Sequence, residues 1–387
     1  MEKLIAILGI LIVTGLVYGL SKDKKNINWK TVISALVAQV ALAGILILTP
    51  AWKIVEYASN IVNQILGYAQ EGITFVFGDL ATNGFNLFLS SLMPVVFTSA
   101  LVGLLFHFGI LQKIVKMIGV LFAKLFNVDT LVMVNAISNA FLGQSDSLFV
   151  TKNYLPKASN QVIFATLVGG MTSISVGVMG LYMGFGASLE WIIISIPLTI
   201  LGSFTFTQIV YPTKYTDVDE IEIEVTKGYN FIETMVNYGR DGFNGVIGVT
   251  IGLLVFISFV ALVNGLLPGG LSLEGIIGIL FKPLAFLMGV PANEVNTVAS
   301  ILATKLVTNE AVAFGLPAFA MLSVKAKAMM TIALCGFAGF GSIAILLGTY
   351  SAIAPERVKD VAKLGMLALI TATLVNILSG TIVGLFL

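Results

Sequence analysis

Two carboxylates set in apolar sequence are the side chains best suited to chemistry in this chain: Asp146, in Gly143-Gln144-Ser145-Asp146, and Glu310, in Thr308-Asn309-Glu310. An ionised carboxylate within hydrocarbon costs roughly 2.5–3.5 kcal/mol on insertion scales, so one is kept there when it has a partner or a task. The partner reading is a cap at a hairpin tip or an ion pair with Lys152 or Lys305; the task reading is a ligand for a solute, or a proton carrier. Gln144 and Asn309 each carry amide donors and a carbonyl acceptor, a set suited to the edge of a heterocyclic base or a sugar. Each cluster is followed, at similar spacing, by a run of small residues: Gly169-Gly170-Met171-Thr172-Ser173-Ile174-Ser175 after the first and Cys335-Gly336-Phe337-Ala338-Gly339-Phe340-Gly341-Ser342 after the second. Glycine lets backbone approach closely, and hydroxyls supply oxygen ligands for a hard cation or a polar solute. Phe337 offers a face that can stack on a planar ligand. His107, in an apolar run, is read as an interior side chain rather than a proton relay. The chain has no HExxH, Gly-x-Gly-Asp or Gly-x-Ser-Gly, and its single histidine has no evident serine partner, which argues against an intramembrane enzyme.

The elements that must position these residues are membrane elements. Of 387 residues, 57% are apolar and 11% charged, against about 25% charged in soluble proteins. Runs long enough to cross about 30 Å of hydrocarbon recur near 3–20, 31–49, 86–110, 160–184, 189–211, 244–267, 328–350 and 363–386, about eight crossings. The first run lacks a small-residue cleavage site and reads as a retained helix. Lysines in the loop 21–30, and Arg357, Lys359 and Lys363 in the last loop, place both loops in the cytoplasm by the positive-inside rule, with both termini outside. Net charge is +1 with scattered lysines, which excludes a nucleic-acid partner, and a lone Cys335 excludes a disulfide framework or a multi-cysteine zinc site.

Between the crossings lie an amphipathic stretch at 111–126 and two interrupted segments, 128–156 and 290–316. Leu111, Ile114, Val115, Ile118, Phe122 and Leu125 take one face of the first and Lys113, Lys116 and Lys124 the other, as in a helix lying in the interface. The two interrupted segments share one logic: an amphipathic stretch, a polar cluster, then a turn into a crossing. Secondary transporters are commonly built from such repeats, and non-helical backbone survives in a bilayer only where protein or a wet cavity surrounds it. The predicted fold is therefore all-α and integral to the membrane, with two re-entrant helical hairpins and an inverted-repeat core. The expected organisation is 1–85 as scaffold, 86–212 as the first core half, an acidic polar linker over 213–242, and 243–387 as the second core half.

At these residues the sequence resembles the concentrative nucleoside transporter family over nearly its whole length. The pieces that carry the likeness are Asn139-Ala-Phe-Leu-Gly-Gln-Ser-Asp146, Tyr154-Leu-Pro-Lys157, Gly169-Gly-Met-Thr-Ser-Ile174, Asn309-Glu310 and Cys335-Gly-Phe-Ala-Gly-Phe-Gly-Ser-Ile-Ala344. The resemblance implies that Gln144, Ser145 and Asp146 contact a nucleobase, that Glu310 and Ser342 hold a ribose, and that Phe337 and Val178 pack on the ligand; Asn309 joins this set. It implies a sodium site at Asn139, Leu142 (backbone), Ser145, Ser173 and Ile174 (backbone), and a homotrimer in the cell membrane, in contact with lipid. Two departures stand out. The family's Gly-Gln-Thr-Glu reads Gly143-Gln144-Ser145-Asp146 here, and its Phe-Ala-Asn-Phe-Ser-Ser reads Phe337-Ala-Gly339-Phe340-Gly341-Ser342, so an amide expected on the ribose is absent.

The function expected is cation-coupled symport of a nucleoside or nucleoside-like solute, with sodium preferred to a proton and no organic cofactor. A modified nucleoside, a nucleobase or another ring-bearing polar solute is the alternative. A passive channel or a non-transporting membrane protein with the same gating fold is the second.

Overall fold

The computed structural model describes residues 2–82, 84, 86–214 and 230–387; of the linker expected over 213–242, the acidic stretch 215–229 lies outside the described residues, while 231–242 is helix and not linker, because Asn230 caps a helix there. The first three helices are α1 (Glu2–Gly19), α2 (Trp29–Leu48) and α3 (Trp52–Phe77). A stretch of π-helix, Leu87–Leu92, runs into α4 (Pro94–His107), followed by α5 (Ile110–Phe126), α6 (Thr130–Leu142), α7 (Asp146–Val150), α8 (Asn160–Thr172), α9 (Met179–Gly184) and α10 (Leu189–Val210). The second half holds α11 (Phe231–Leu266), α12 (Leu273–Leu287), α13 (Val295–Val307), α14 (Glu310–Gly315), α15 (Pro317–Ala320), α16 (Val324–Leu334), α17 (Phe340–Ile353) and α18 (Val358–Gly384). Among the described residues there is no strand.

Among the described residues, seven spans are long and apolar enough to cross a membrane: α1, α2, Leu87–His107, Asn160–Gly184, α10, α11 and Pro355–Gly384. The eighth crossing expected, 328–350, is not one helix. It is divided into α16 and α17 because 335–339 leaves the helical path, with Gly336 and Gly339 both in the break. Asn160–Gly184 is divided too, since Ser173 and Ser175 take extended backbone between α8 and α9. The crossing expected from 244 starts earlier, at Phe231, where Asn230 caps α11 by accepting from the Glu233 N–H at 2.9 Å. Helices α3 and α12 were not expected. The first spreads Lys53, Glu56, Asn60, Gln64 and Glu71 through an apolar pattern, and the second holds Lys282 and Pro283.

The helices sort by burial. Over their apolar windows, Asn160–Gly184 is 83% buried and α10 and Pro355–Gly384 78%, against 28% for α1 and α2 and 19% for α11. Helix α18 packs on α8 and α16, which makes this group the interior, while α11 lies along α4 and α12 along α13. Close approach of α4 and α11 needs small residues: Gly103 faces the ring of Tyr238, and a Cβ on Gly242 would lie 2.6 Å from the Ser99 hydroxyl. In α5, Leu111, Val115, Gly119, Ala123 and Phe126 turn inward, whereas Leu125, expected on that face, is exposed with Met117 and Leu121. An apolar outer face flanked by lysines suits a membrane surface.

Candidate functional site

Each interrupted segment is a helix, a break and a second helix. Helix α6 starts at Asp129, whose carboxylate accepts from the N–H of Leu131 at 2.9 Å and of Val132 at 3.4 Å. It stops at Gly143, which sits at φ +96° and ψ 172°, a region essentially reserved for glycine. Gln144 and Ser145 form the turn and Asp146 opens α7. In the second segment α13 ends at Thr308 and Asn309 caps α14, its Oδ1 accepting from the Val312 N–H at 2.9 Å. Part of the recognition capacity expected of Asn309 is thus spent on the backbone.

Each tip rests on the break of the crossing that follows it. A Cβ on Gly170 would lie 3.5 Å from the Gln144 Cβ, and one on Gly339 would lie 3.1 Å from Lys305 O and 3.3 Å from Thr308 O. The four pieces that the sequence paired by spacing are therefore paired in space.

At the first break the central residue is Asn139, fully buried. Its Nδ2 donates to Gly169 O (3.1 Å), Gly170 O (3.2 Å), Ser173 O (3.4 Å) and Ser173 Oγ (2.8 Å). That leaves Oδ1 buried with no protein partner. Ser173 and Ile174 are buried beside it, and Ser145 and Leu142 half-buried. An orphan carbonyl oxygen among hydroxyls and backbone carbonyls is a donor set of the hardness that a small monovalent cation prefers. One turn earlier, Asn135 is fully buried and neither amide atom has a partner.

The solute-binding candidates divide by neighbour. Gln144 is 8% exposed and its Oε1 is buried without a partner. Asp146 has exposed surface and lies within electrostatic reach of Asp241 and Tyr238 of α11. Glu310 is buried and accepts from the Tyr182 hydroxyl at 3.1 Å; that ring stacks on Phe314, with centroids 4.7 Å apart. The two carboxylates thus have different neighbours, one on α11 and one on α9. Phe337 and Val178 are half-buried, and the Ser342 hydroxyl turns back to Phe337 O. A cavity of about 640 Å³ lies along the second segment, lined by Thr304, Thr308, Ala311 and Val312 and by α11 residues including Thr250 and Ser258. Of the cluster Thr308-Asn309-Glu310 only Thr308 lines it, and none of the residues expected to hold solute or ion does.

Sequence reading passed over Asn135, Tyr182 and Asn376 and valued Lys305 only as a partner for Glu310. Lys305 instead donates to Ala333 O and Asn376 Oδ1, both at 2.8 Å, and Asn376 Nδ2 donates to Thr172 O at 2.7 Å. The available signal was an amide in the apolar run 363–386 and a lysine in 290–316, since polar groups at that depth are rarely idle.

Among the described residues, seven apolar spans around a buried core, with each interrupted segment set against a broken helix, define a polytopic membrane protein of the transporter type. Family profiles described as the N-terminus and C-terminus of Na+ dependent nucleoside transporters match residues 8–80 and 191–384. An uncharacterized transporter of Haemophilus influenzae is 34% identical over 100% of this chain and 98% of its own, and the nucleoside permease NupC of Helicobacter pylori 31% over the same shares. A solved structure of CNTnw, in an inward-facing substrate-bound state, superposes with a TM-score of 0.94 at 32% identity, covering 100% of this chain and 98% of that one. The chain belongs to the concentrative nucleoside transporter family. It is a multi-pass protein of the cell membrane, and its family is one of transporters, not enzymes.

Proposed function

We propose that this protein imports nucleosides or nucleoside-like solutes by coupling their entry to a cation, sodium in preference to a proton. The observation that carries the reading is the buried Asn139 Oδ1 without a partner, held in place by the same side chain's bonds to the end of α8. A cation there would take Asn139 Oδ1, Ser145 and Ser173 hydroxyls and the Leu142 and Ile174 carbonyls. It would tie the first hairpin to the first break and so order Gln144 for the solute. Gln144, Ser145 and Asp146 would meet the base, and Glu310, Ser342 and Asn309 the sugar, with Phe337 and Val178 packing on the rings. Coupling follows when ion and solute each bind better in the other's presence.

The domain division follows the same reading: 1–85 as scaffold, then two core halves, each with a re-entrant hairpin. Solved CNTnw structures described as inward-facing, intermediate and outward-facing support alternating access for that protein, and the proposal carries it here. A homotrimer is proposed on the family resemblance; light scattering of the detergent-solubilised protein tests it.

One observation favours a second solute class. At Gly339 no side chain projects, and a Cβ there would crowd Lys305 O and Thr308 O. A solute that asks less of the ribose side, such as a modified nucleoside or a free base, fits that surface. Uptake of labelled uridine, adenosine and uracil into proteoliposomes, with sodium replaced by choline at fixed pH, tests both parts. Undiminished uptake in choline removes sodium; uptake of uracil alone removes the nucleoside.

A further inference from the structure

The second hairpin contains a charge that this transport scheme leaves unused. Lys305 is 3% exposed and lies two residues before the end of α13. None of the ion pairs among the described residues involves it. An ammonium so deeply buried with no carboxylate in ion-pair contact, Glu310 acting on it only through space, is costly unless oxygen atoms replace its water. Two do, both at 2.8 Å: Ala333 O and Asn376 Oδ1. Ala333 is in the last turn of α16, at the end that carries the negative pole of the helix dipole. The charge therefore stands at the C-terminal end of a broken crossing.

The first half has the same architecture with different chemistry. Helix α8 also ends at a break, and its last carbonyls point toward the hairpin helix α6. The donors that meet them are neutral: Asn139 Nδ2 on Gly169 O and Gly170 O, and Asn376 Nδ2 on Thr172 O. Beside them Asn139 keeps an unshared oxygen. So one helix end has an ionisable amine built into the chain, and its counterpart has amides and oxygen ligands only.

One carboxamide joins the two ends. Asn376 accepts from Lys305 and donates to Thr172 O. The ammonium can only donate, so it fixes which amide atom faces it and thereby turns Nδ2 to the carbonyl next to Ser173. Gly336 leaves room for this bridge, since a Cβ there would lie 2.5 Å from both Asn376 Oδ1 and Thr172 O.

We propose that Lys305 is a tethered cation, standing in the second half where the first half takes its cation from solution, so that transport uses one coupling ion and not two. It is a positioning residue, acting on the ion site through Asn376. The proposal rests on the cation-coupled reading above.

The test is Lys305→Ala in the full chain, reconstituted in liposomes and assayed with labelled uridine. Uptake should fall at least about tenfold, the loss expected when a charge-assisted hydrogen bond is removed. n-Propylammonium, the fragment deleted, should restore much of it, and 1-propanol, of like size and no charge, should not. Unchanged uptake, or equal rescue by 1-propanol, overturns the proposal. Should the variant not fold, the unmodified protein still decides: uridine binding should rise with sodium at a Hill coefficient of about one, and a value of about two overturns the tethered cation. Absence of any sodium effect would remove the sodium reading alone, and the n-propylammonium result would still judge Lys305.

Discussion

Gly336→Ala should loosen the centre of the protein out of proportion to one added methyl. The new Cβ would lie 2.5 Å from Thr172 O and from Asn376 Oδ1 and 2.7 Å from Asn376 Nδ2, and real contacts at that carbon do not fall below 3.0 Å. At least 0.5 Å of displacement is forced on groups that belong to bonds of 2.7 and 2.8 Å. Losing one neutral hydrogen bond and one bond to an ammonium costs about 2–4 kcal/mol. With a melting entropy of about 2.1 cal/mol/K per residue over 387 residues, that corresponds to a fall of about 3–5 °C. Gly341→Ala is the matched control: it lies in the same stretch, and a Cβ there meets nothing within 4 Å. The assay is thermal unfolding of both variants in one detergent, followed by uridine uptake. A Gly336→Ala melting point within about 1 °C of the control refutes the network as drawn.

Three further outcomes follow from the geometry. Asn139→Ala removes both the oxygen offered to the ion and the amide that holds the end of α8, so half-saturation by sodium in uptake should rise about 10–100-fold; an unchanged sodium curve rules Asn139 out as a ligand. Glu310→Gln and Gln144→Ala should each abolish uptake while leaving expression intact, measured as transport per mole of protein in the membrane; normal transport by either takes that residue out of the solute site. Gly143→Ala forces a side chain into φ +96°, a strain of about 1–3 kcal/mol. It should lower the melting point and slow transport, whereas Gly67→Ala, with open space and helical backbone, should do neither.

Much of the fold was legible because lipid imposes simple rules. A crossing must be apolar over a set length, so α1, α2, α10 and the last span appeared directly in the sequence. The breaks were legible for a related reason: glycine and hydroxyl residues in an apolar run mark a place where helix is not the best use of the backbone. Helices α3 and α12 escaped because their polar residues are spread along helical faces, which lowers average hydropathy without stopping a helix. The candidate site was legible in part. Asn139 bonds Ser173 at the end of α8, and Gln144 and Glu310 lie where one helix gives way to the next, but Asn309 is partly committed to capping and Ser342 to its own turn.

The chain's composition and spacing by themselves determined that this is a multi-pass membrane protein with two polar clusters, each followed by a broken apolar run, since hydropathy and glycine placement act locally along the chain. Which turn meets which break, that Lys305 bonds a helix end and acts on Glu310 only through space, and that Asn376 from the last helix joins α13 to α8 were decided only by the tertiary structure. Those contacts join residues from 28 to 204 positions apart. No local rule selects among the partners a buried donor can reach; burial away from water and the paths of the surrounding helices do.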